Sequence, residues 1–321
     1  LTRCFAALLT ASLMLAGASA PADSLRVGLV SFGTAAWEID TLRRHGLDRD
    51  LGVTLETVEL ADPAAGEVAL QAGGVDAIVT DWLWVSRQRH AGQRVVFVPH
   101  SAAIGEILVP AGSPLTKLSD LPGRHLGVAG GPLDKSWLLL RAYSRQAMGG
   151  DIAETAQAQF AAPPLLSQEL AKGRLDAVLT FWPFAARLEA QGFRRLASMT
   201  EVMAALGFAQ PVPMLGYAFR EQWIGPHAEA ARRFMAALDQ ADRLMSDPAE
   251  WDRLKPLTGA PDQATLAALR QRFLAGLVSD RAGAAPASAR LYALLASIGG
   301  PGLTGGAPAL APGTFWGDGP S

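Results

Sequence analysis

The sequence predicts an α/β protein of two similar lobes, each a mostly parallel sheet covered by helices, joined by two crossing strands. Three observations predict it. First, one stretch occurs twice: residues 73–82 read Gly-Gly-Val-Asp-Ala-Ile-Val-Thr-Asp-Trp, and residues 173–182 read Gly-Arg-Leu-Asp-Ala-Val-Leu-Thr-Phe-Trp. Gly73, Asp76, Ala77, Thr80 and Trp82 return as Gly173, Asp176, Ala177, Thr180 and Trp182. Second, Val27-Gly28-Leu29-Val30 leads through Gly33 to Trp37, and Leu126-Gly127-Val128-Ala129 leads through Gly130-Gly131 to Trp137 at nearly the same offset. The period is too long for a solenoid and suits two copies of one lobe. Third, strand-like and helix-like segments alternate, the pattern of a parallel sheet covered on its faces.

Residues 1–20 read as a targeting segment: Arg3 is a positive n-region, Phe5 to Gly17 is apolar and small, and Ala18-Ser19-Ala20 is a cleavage site. The run is too short for a membrane span. The first copy then opens. Leu25–Val30 is a buried strand ended by Gly33, and Ala35 to His45 has helical spacing. Val53–Leu60 alternates as a strand. Ala64–Gly73 is a helix with a Gly-Gly stop, Val75–Thr80 a strand, Leu83–Ala91 a helix and Val95–Pro99 a strand. The second copy begins near Arg124 and runs to Ala197.

Two extended apolar stretches, Ile104–Pro110 and Pro211–Arg220, read as the strands that cross between copies and act as a hinge. Helices follow at Pro226–Met245, Pro248–Leu257, Asp262–Leu277 and Ala287–Ile298. The expected domains are residues 1–20 as signal peptide, 21–103 with 217–298 as a discontinuous first lobe, and 104–216 as the second. Residues 299–321 form a Gly/Pro-rich tail, partly ordered around Phe315-Trp316.

Composition narrows the function. Half of the residues are apolar, 18% are charged and the net charge is −2, which loss of Arg3 takes to −3. Neither a nucleic-acid surface nor an anionic membrane surface is indicated. Cys4, the only cysteine, lies in the leader, so the processed chain uses no disulfide, thiol chemistry or cysteine metal site. No Gly-x-Ser-x-Gly elbow, His-Glu-x-x-His or Gly-x-Gly-x-x-Gly loop occurs, and Gly130 to Ser136 has Asp134 where a phosphate loop needs its last glycine. The five histidines are scattered without ligand spacing, and most read as surface or loop residues. No catalytic residue, metal site or cofactor is expected.

In this order, the segments resemble the substrate-binding proteins of ABC importers, in the nitrate/sulfonate/taurine-type group that also contains thiamine-pyrimidine binders. The resemblance rests on the leader, the strand and loop Leu25–Thr34, and the Gly-x-x-Asp-Ala strands at 73–77 and 173–177. It rests most specifically on Gly112-Ser113-Pro114-Leu115 and Leu118 to Arg124 leading into Leu126-Gly127-Val128. It implies a type II periplasmic-binding fold: two Rossmann-like lobes, two crossing strands and a small-molecule ligand in the cleft. It also implies a monomeric periplasmic protein that delivers its ligand to an ABC permease in the inner membrane. Two rival readings are an enzyme on the same fold, pyrimidine-synthesis-like or deaminase-like, and a periplasmic sensor without transport.

In open α/β sheets, ligands lie beyond the carboxyl ends of strands, near helix N-termini. That rule selects the loops Ser31–Trp37, Thr80–Trp84, Gly130–Trp137 and Thr180–Phe184. The candidate ligand contacts are Gly33, Thr34, Trp37, Thr80, Asp81, Trp82, Glu106, Asp134, Ser136, Trp137, Thr180 and Trp182. Flat indole rings can stack on a planar ligand or cage a cation, or can simply pack helix on strand. Asp81 faces Phe181 in the repeat, a break in symmetry suited to a ligand contact. Asp134 is either a contact or a helix N-cap. Asp76 and Asp176 are structural caps. Lys135 is the only base in the four loops, fewer fixed positive charges than a bare anion such as nitrate asks for. Aromatics plus carboxylates point to a heteroaromatic, amine-bearing or neutral ligand.

Overall fold

The computed structural model describes residues 23–31, 33–278, 281 and 283–317. The expected targeting segment and Cys4 lie outside the described residues, as do the last four residues of the tail. The strands are β1 (Ser24–Val30), β2 (Thr54–Leu60), β3 (Ala77–Asp81), β4 (Val95–Ser101), β5 (Gly105–Val109), β6 (His125–Ala129), β7 (Gln157–Ala161), β8 (Ala177–Phe181), β9 (Arg194–Ser198) and β10 (Leu215–Arg220). They form two five-stranded sheets, ordered β2-β1-β3-β10-β4 and β7-β6-β8-β5-β9. The two orders are the same when β1–β4 are laid on β6–β9. In each sheet the central pairs β1/β3 and β6/β8 are parallel, and one antiparallel strand is inserted beside them. That inserted strand is β5 in the second sheet and β10 in the first, so the chain passes from one sheet to the other and back.

Repeat-related residues do the same work in both sheets. Leu215 of β10 pairs with Asp81, and Gly105 of β5 pairs with Phe181. Gly28 and Gly127 leave room for neighbouring side chains on the sheet: a Cβ on Gly28 would lie 2.6 Å from Leu60, and one on Gly127 would lie 2.6 Å from Leu175. Asp76 accepts from Arg26 N at 3.1 Å, and Asp176 accepts from His125 N at 2.8 Å, so both are structural as expected but brace the neighbouring strand where a turn or helix cap was expected.

The helices of the first copy are α1 (Ala35–Arg44), α2 (Pro63–Ala72) and α3 (Trp82–His90), and those of the second are α4 (Lys135–Ala147), α5 (Ile152–Thr155), α6 (Pro163–Ala171), α7 (Trp182–Ala190) and α8 (Met199–Ala205). Asp62 caps α2 by accepting from Ala65 N, and Gly73 closes it with φ 76° in the left-handed region, as the Gly-Gly stop predicts. After β10 come α9 (Glu221–Ile224), α10 (Ala228–Leu244), α11 (Pro248–Thr258), α12 (Gln263–Ala275) and α13 (Ala284–Thr304). α10 packs on α1, while α12 packs on α7 and α13 on both α4 and α3. The last two helices therefore lie against both halves. No helix among the described residues is long and apolar enough to cross a membrane.

The tail is more regular than its Gly/Pro content predicts. α13 bends at Gly300 and continues to Thr304. Beyond it, Trp316 N donates to Phe97 O at 2.9 Å, and Phe97 N donates to Thr314 O at 2.7 Å. Phe315 meets Phe97 edge to face at 5.5 Å. The tail thus extends β4 by one bridge and buries an aromatic ring against it.

Candidate ligand-binding cleft

A cavity of about 310 Å³ opens between the two sheets. Its floor is made by strand ends: Val30 of β1, Thr80 and Asp81 of β3, Phe181 of β8, and the crossing-strand glycines Gly105 and Gly216. Helix starts supply the walls, with Thr34 and Ala35 at α1, Asp134 to Ser136 at α4, and Trp182 to Phe184 at α7. This is the carboxyl-end position expected for a doubly wound sheet, built twice and turned face to face.

Of the twelve candidate residues, Gly33, Thr34, Thr80, Asp81, Asp134, Ser136 and Trp182 line the cavity. Asp134 is also an N-cap, its Oδ1 accepting from Ser136 N at 2.9 Å. The other five lie elsewhere. Trp82 is 0% exposed in the core, its Nε1 donating to Pro213 O at 2.7 Å, so it braces the second crossing segment. Trp137 is buried and meets Phe160 edge to face. Trp37 packs into an aromatic cluster with Trp182, Trp251 and Phe273 beneath the cavity. Glu106 is held by Arg272, whose Nε donates to it at 2.6 Å. Thr180 is buried, and its Oγ1 has no partner among the described residues. An indole has enough apolar area to be drawn into either core or cleft, and helix phase decides between them. At the repeated position that opens α3 and α7, the second copy turns its ring to the cavity and the first does not.

Four groups missed by sequence reasoning complete the lining: Glu67, Glu38, His100 and Phe273. Glu67 sits inside α2, one turn from its start, and Phe273 comes from α12, far away in sequence. A polar residue breaking the apolar face of α2 is the only sequence signal for Glu67.

The cleft is charged. Lys135 Nζ donates to Asp81 Oδ2 at 2.7 Å, with the two side chains 21% and 18% exposed. Burial opposes the charge on Asp81, but Lys135 beside it holds its carboxyl below the usual range. Burial likewise opposes the charge on Lys135, and Asp81 and Asp134 raise it back above its ordinary value. Burial and the neighbouring Asp81 push Glu67 up to about 7. Burial also raises Asp134.

Glu38, His100 and Asp242 form a buried group whose ligand atoms lie within 4.8 Å of one another, which makes them the described residues able to hold a metal. His100 departs from the surface role expected of most of the histidines. In the structure His100 Nε2 bonds Glu38, while His100 Nδ1 and Asp242 Oδ1 have no hydrogen-bond partner among the described residues. Burial and the neighbouring Glu38 carboxyl push Asp242 above the carboxylate range.

With this geometry in place, comparison with known proteins is informative. A model of the NMT1/THI5-like family matches residues 43–250, more than half of the chain. The chain belongs to that family. No curated protein sequence matches it significantly. The structure of this NMT1/THI5-like protein is similar to the periplasmic aliphatic sulphonate binding protein SsuA from Escherichia coli, with a TM-score of 0.74, 20% identity and 92% of each chain covered. It is also similar to the alkanesulfonate-binding protein SsuA from Xanthomonas axonopodis pv. citri bound to MOPS, with a TM-score of 0.69, 19% identity, and 93% of this chain and 99% of that one covered. The desulfurization enzyme DSZB shares the fold at a TM-score of 0.59 and 14% identity, covering 86% of this chain and 92% of that one. At these identities the likeness is one of fold. The two-lobed α/β fold expected from the repeat is the fold of these proteins.

Proposed function

We propose that this NMT1/THI5-like protein is the solute-binding component of an ABC-type importer. It captures a small molecule between its lobes in the periplasm and presents the closed form to a permease. The observation that carries the reading is the cavity of about 310 Å³, lined from both sheets at the carboxyl ends of their parallel strands. A ligand that touches both halves binds the closed form better than the open one, and that difference shifts the population. On this reading residues 21–103 with 217–298 form one lobe and residues 104–216 the other. The stretches 104–110 and 211–220 are the hinge, and residues 1–20 direct export of a monomer.

Binding rather than catalysis is favoured by how the reactive groups are engaged. The imidazole of His100 is taken up by Glu38, and Ser136 Oγ accepts from Gly105 N at 3.3 Å. Among the described residues no hydrogen bond joins a serine or threonine hydroxyl to a histidine, the contact a nucleophile–base pair uses. The test is a thermal-shift screen of the processed protein over sulfonates, nitrate, pyrimidines, aromatic acids and amines. A ligand of the cleft raises the melting temperature in proportion to its binding. A compound that is consumed instead of retained would favour the enzyme reading.

A further inference from the structure

Resting on the solute-binding reading of this cleft, we propose that its ligand is an organic cation: a protonated amine or amidine on an apolar or ring-bearing body, with the charged nitrogen held by Glu67 and Asp81. The SsuA proteins that share the fold are named for sulfonates, and the groups around this cavity oppose such an anion. Glu38, Glu67, Asp81 and Asp134 line it against one lysine and one imidazole.

At three of the helix starts near the cavity, side-chain carboxylates already occupy backbone donors. Asp81 Oδ1 accepts from Trp84 N at 2.8 Å at the start of α3. Asp134 Oδ1 accepts from Ser136 N at 2.9 Å and from Trp137 N at 3.4 Å at the start of α4. Asp62 accepts from Ala65 N at 2.8 Å at the start of α2. α7 has a proline, Pro183, in its first turn and so lacks that donor. At α2, α3 and α4 an anion meets a carboxylate where it would need free N–H groups, which leaves α1, uncapped at Thr34, as the helix start open to one.

Two further observations point to a cation. The protein's own ammonium group, Lys135 Nζ, already sits in the cavity against Asp81, so the site accommodates a charged nitrogen. His100 is 6% exposed and lines the cavity, and its Nδ1 has no hydrogen-bond partner among the described residues. A ring nitrogen buried this deeply calls for a hydrogen-bond partner, which a ligand in the cavity can supply. The rings of Phe181, Trp182, Phe184 and Phe273 give the rest of the ligand an apolar wall and their faces suit a cation.

The experiment uses the processed chain and matched probes in which one benzene or pyrimidine ring carries an aminomethyl, a hydroxymethyl or a sulfomethyl group. Calorimetry and thermal shift are run on wild type, Glu67→Gln and Lys135→Met. The expected result is binding of the aminomethyl members, about tenfold weaker in Glu67→Gln and stronger in Lys135→Met, which removes the competing cation. Stronger binding of the sulfomethyl or hydroxymethyl members overturns the cation assignment and leaves the cleft as the binding site. Equal binding in wild type and Glu67→Gln also overturns it. If no probe of any charge binds, both the cation assignment and the solute-binding reading fail.

Discussion

Lys135 and Asp81 join the two halves of the molecule across the cleft, Nζ to Oδ2 at 2.7 Å. Asp81 ends β3 of the first sheet, and Lys135 opens α4 behind β6 of the second. The pair occupies the space a ligand would enter, so it both holds the empty cleft together and must yield to the ligand. Replacing Lys135 with Met leaves a half-buried Asp81 without its cation and should lower stability by about 1–2 kcal/mol, between the values for surface and buried pairs. Because Asp81 lies below its ordinary pKa, this contribution is complete above the usual carboxylate range and is lost as pH falls through the depressed value. Urea titrations at pH 7 and pH 3 measure both effects. Equal stability of wild type and variant at pH 7 would remove the pair from the account.

Glu67 makes the opposite contribution. Its pKa is raised to about 7 by burial and by Asp81, against the smaller effects of Arg87, Lys135 and a hydrogen bond from Thr80. The unfolded chain ionises it near 4.5. Between those values the folded state holds a proton that the unfolded state has lost, so stability falls as pH rises from about 4.5 to about 7, then levels off. Glu67→Gln should therefore melt higher than wild type at pH 8 and match it at pH 4. A variant that melts lower at pH 8 would contradict this reading. If Glu67 also holds the ligand's cation, the same substitution trades affinity for stability.

The indoles should separate by fluorescence. Trp182 lines the cavity and Trp82 is sealed in the core. In Trp182→Phe, the emission change on ligand binding should be mostly lost, while Trp82→Phe keeps it. Trp82→Ala should cost about 3–5 kcal/mol through the cavity it leaves. Retention of the full signal in Trp182→Phe would place the responding ring elsewhere.

Much of the architecture was legible because duplication wrote it twice. Gly28 and Gly127, Asp76 and Asp176, and the strands ending at Asp81 and Phe181 hold equivalent positions in the two sheets. The loops after those strands pointed to the cleft, and Thr80, Asp81, Asp134, Ser136 and Trp182 line it. What repetition could not reveal was the direction of each side chain. Trp82 and Trp182 occupy the same place in the repeat, yet only Trp182 reaches the cavity, because the second crossing segment covers Trp82 through Pro213. Glu67 and His100 escaped notice because a lone polar residue on a helix or strand has no spacing to mark it. Phe273 arrives from a helix packed on α7 that lies outside the duplicated unit.

Gly216 opens β10 against the first sheet, and a Cβ there would collide with the backbone carbonyl of Val98. Backbone cannot move aside as a side-chain end can, so Gly216→Ala should destabilise by about 1–3 kcal/mol. Gly131→Ala, with open space around it, should be neutral. Chemical denaturation of the two variants side by side checks this, and equal stabilities would place β10 differently.

Movement of the two halves about a bound solute is best read as a distance. Val68 on α2 and Leu165 on α6 are 64% and 50% exposed, one on each half, and a chain begun after residue 20 carries no competing thiol. Spin labels on Val68→Cys and Leu165→Cys report their separation by pulsed electron resonance. With a saturating aminomethyl ligand, the distance distribution should shift to a single shorter population. An identical distribution with and without bound ligand would contradict closure between the lobes.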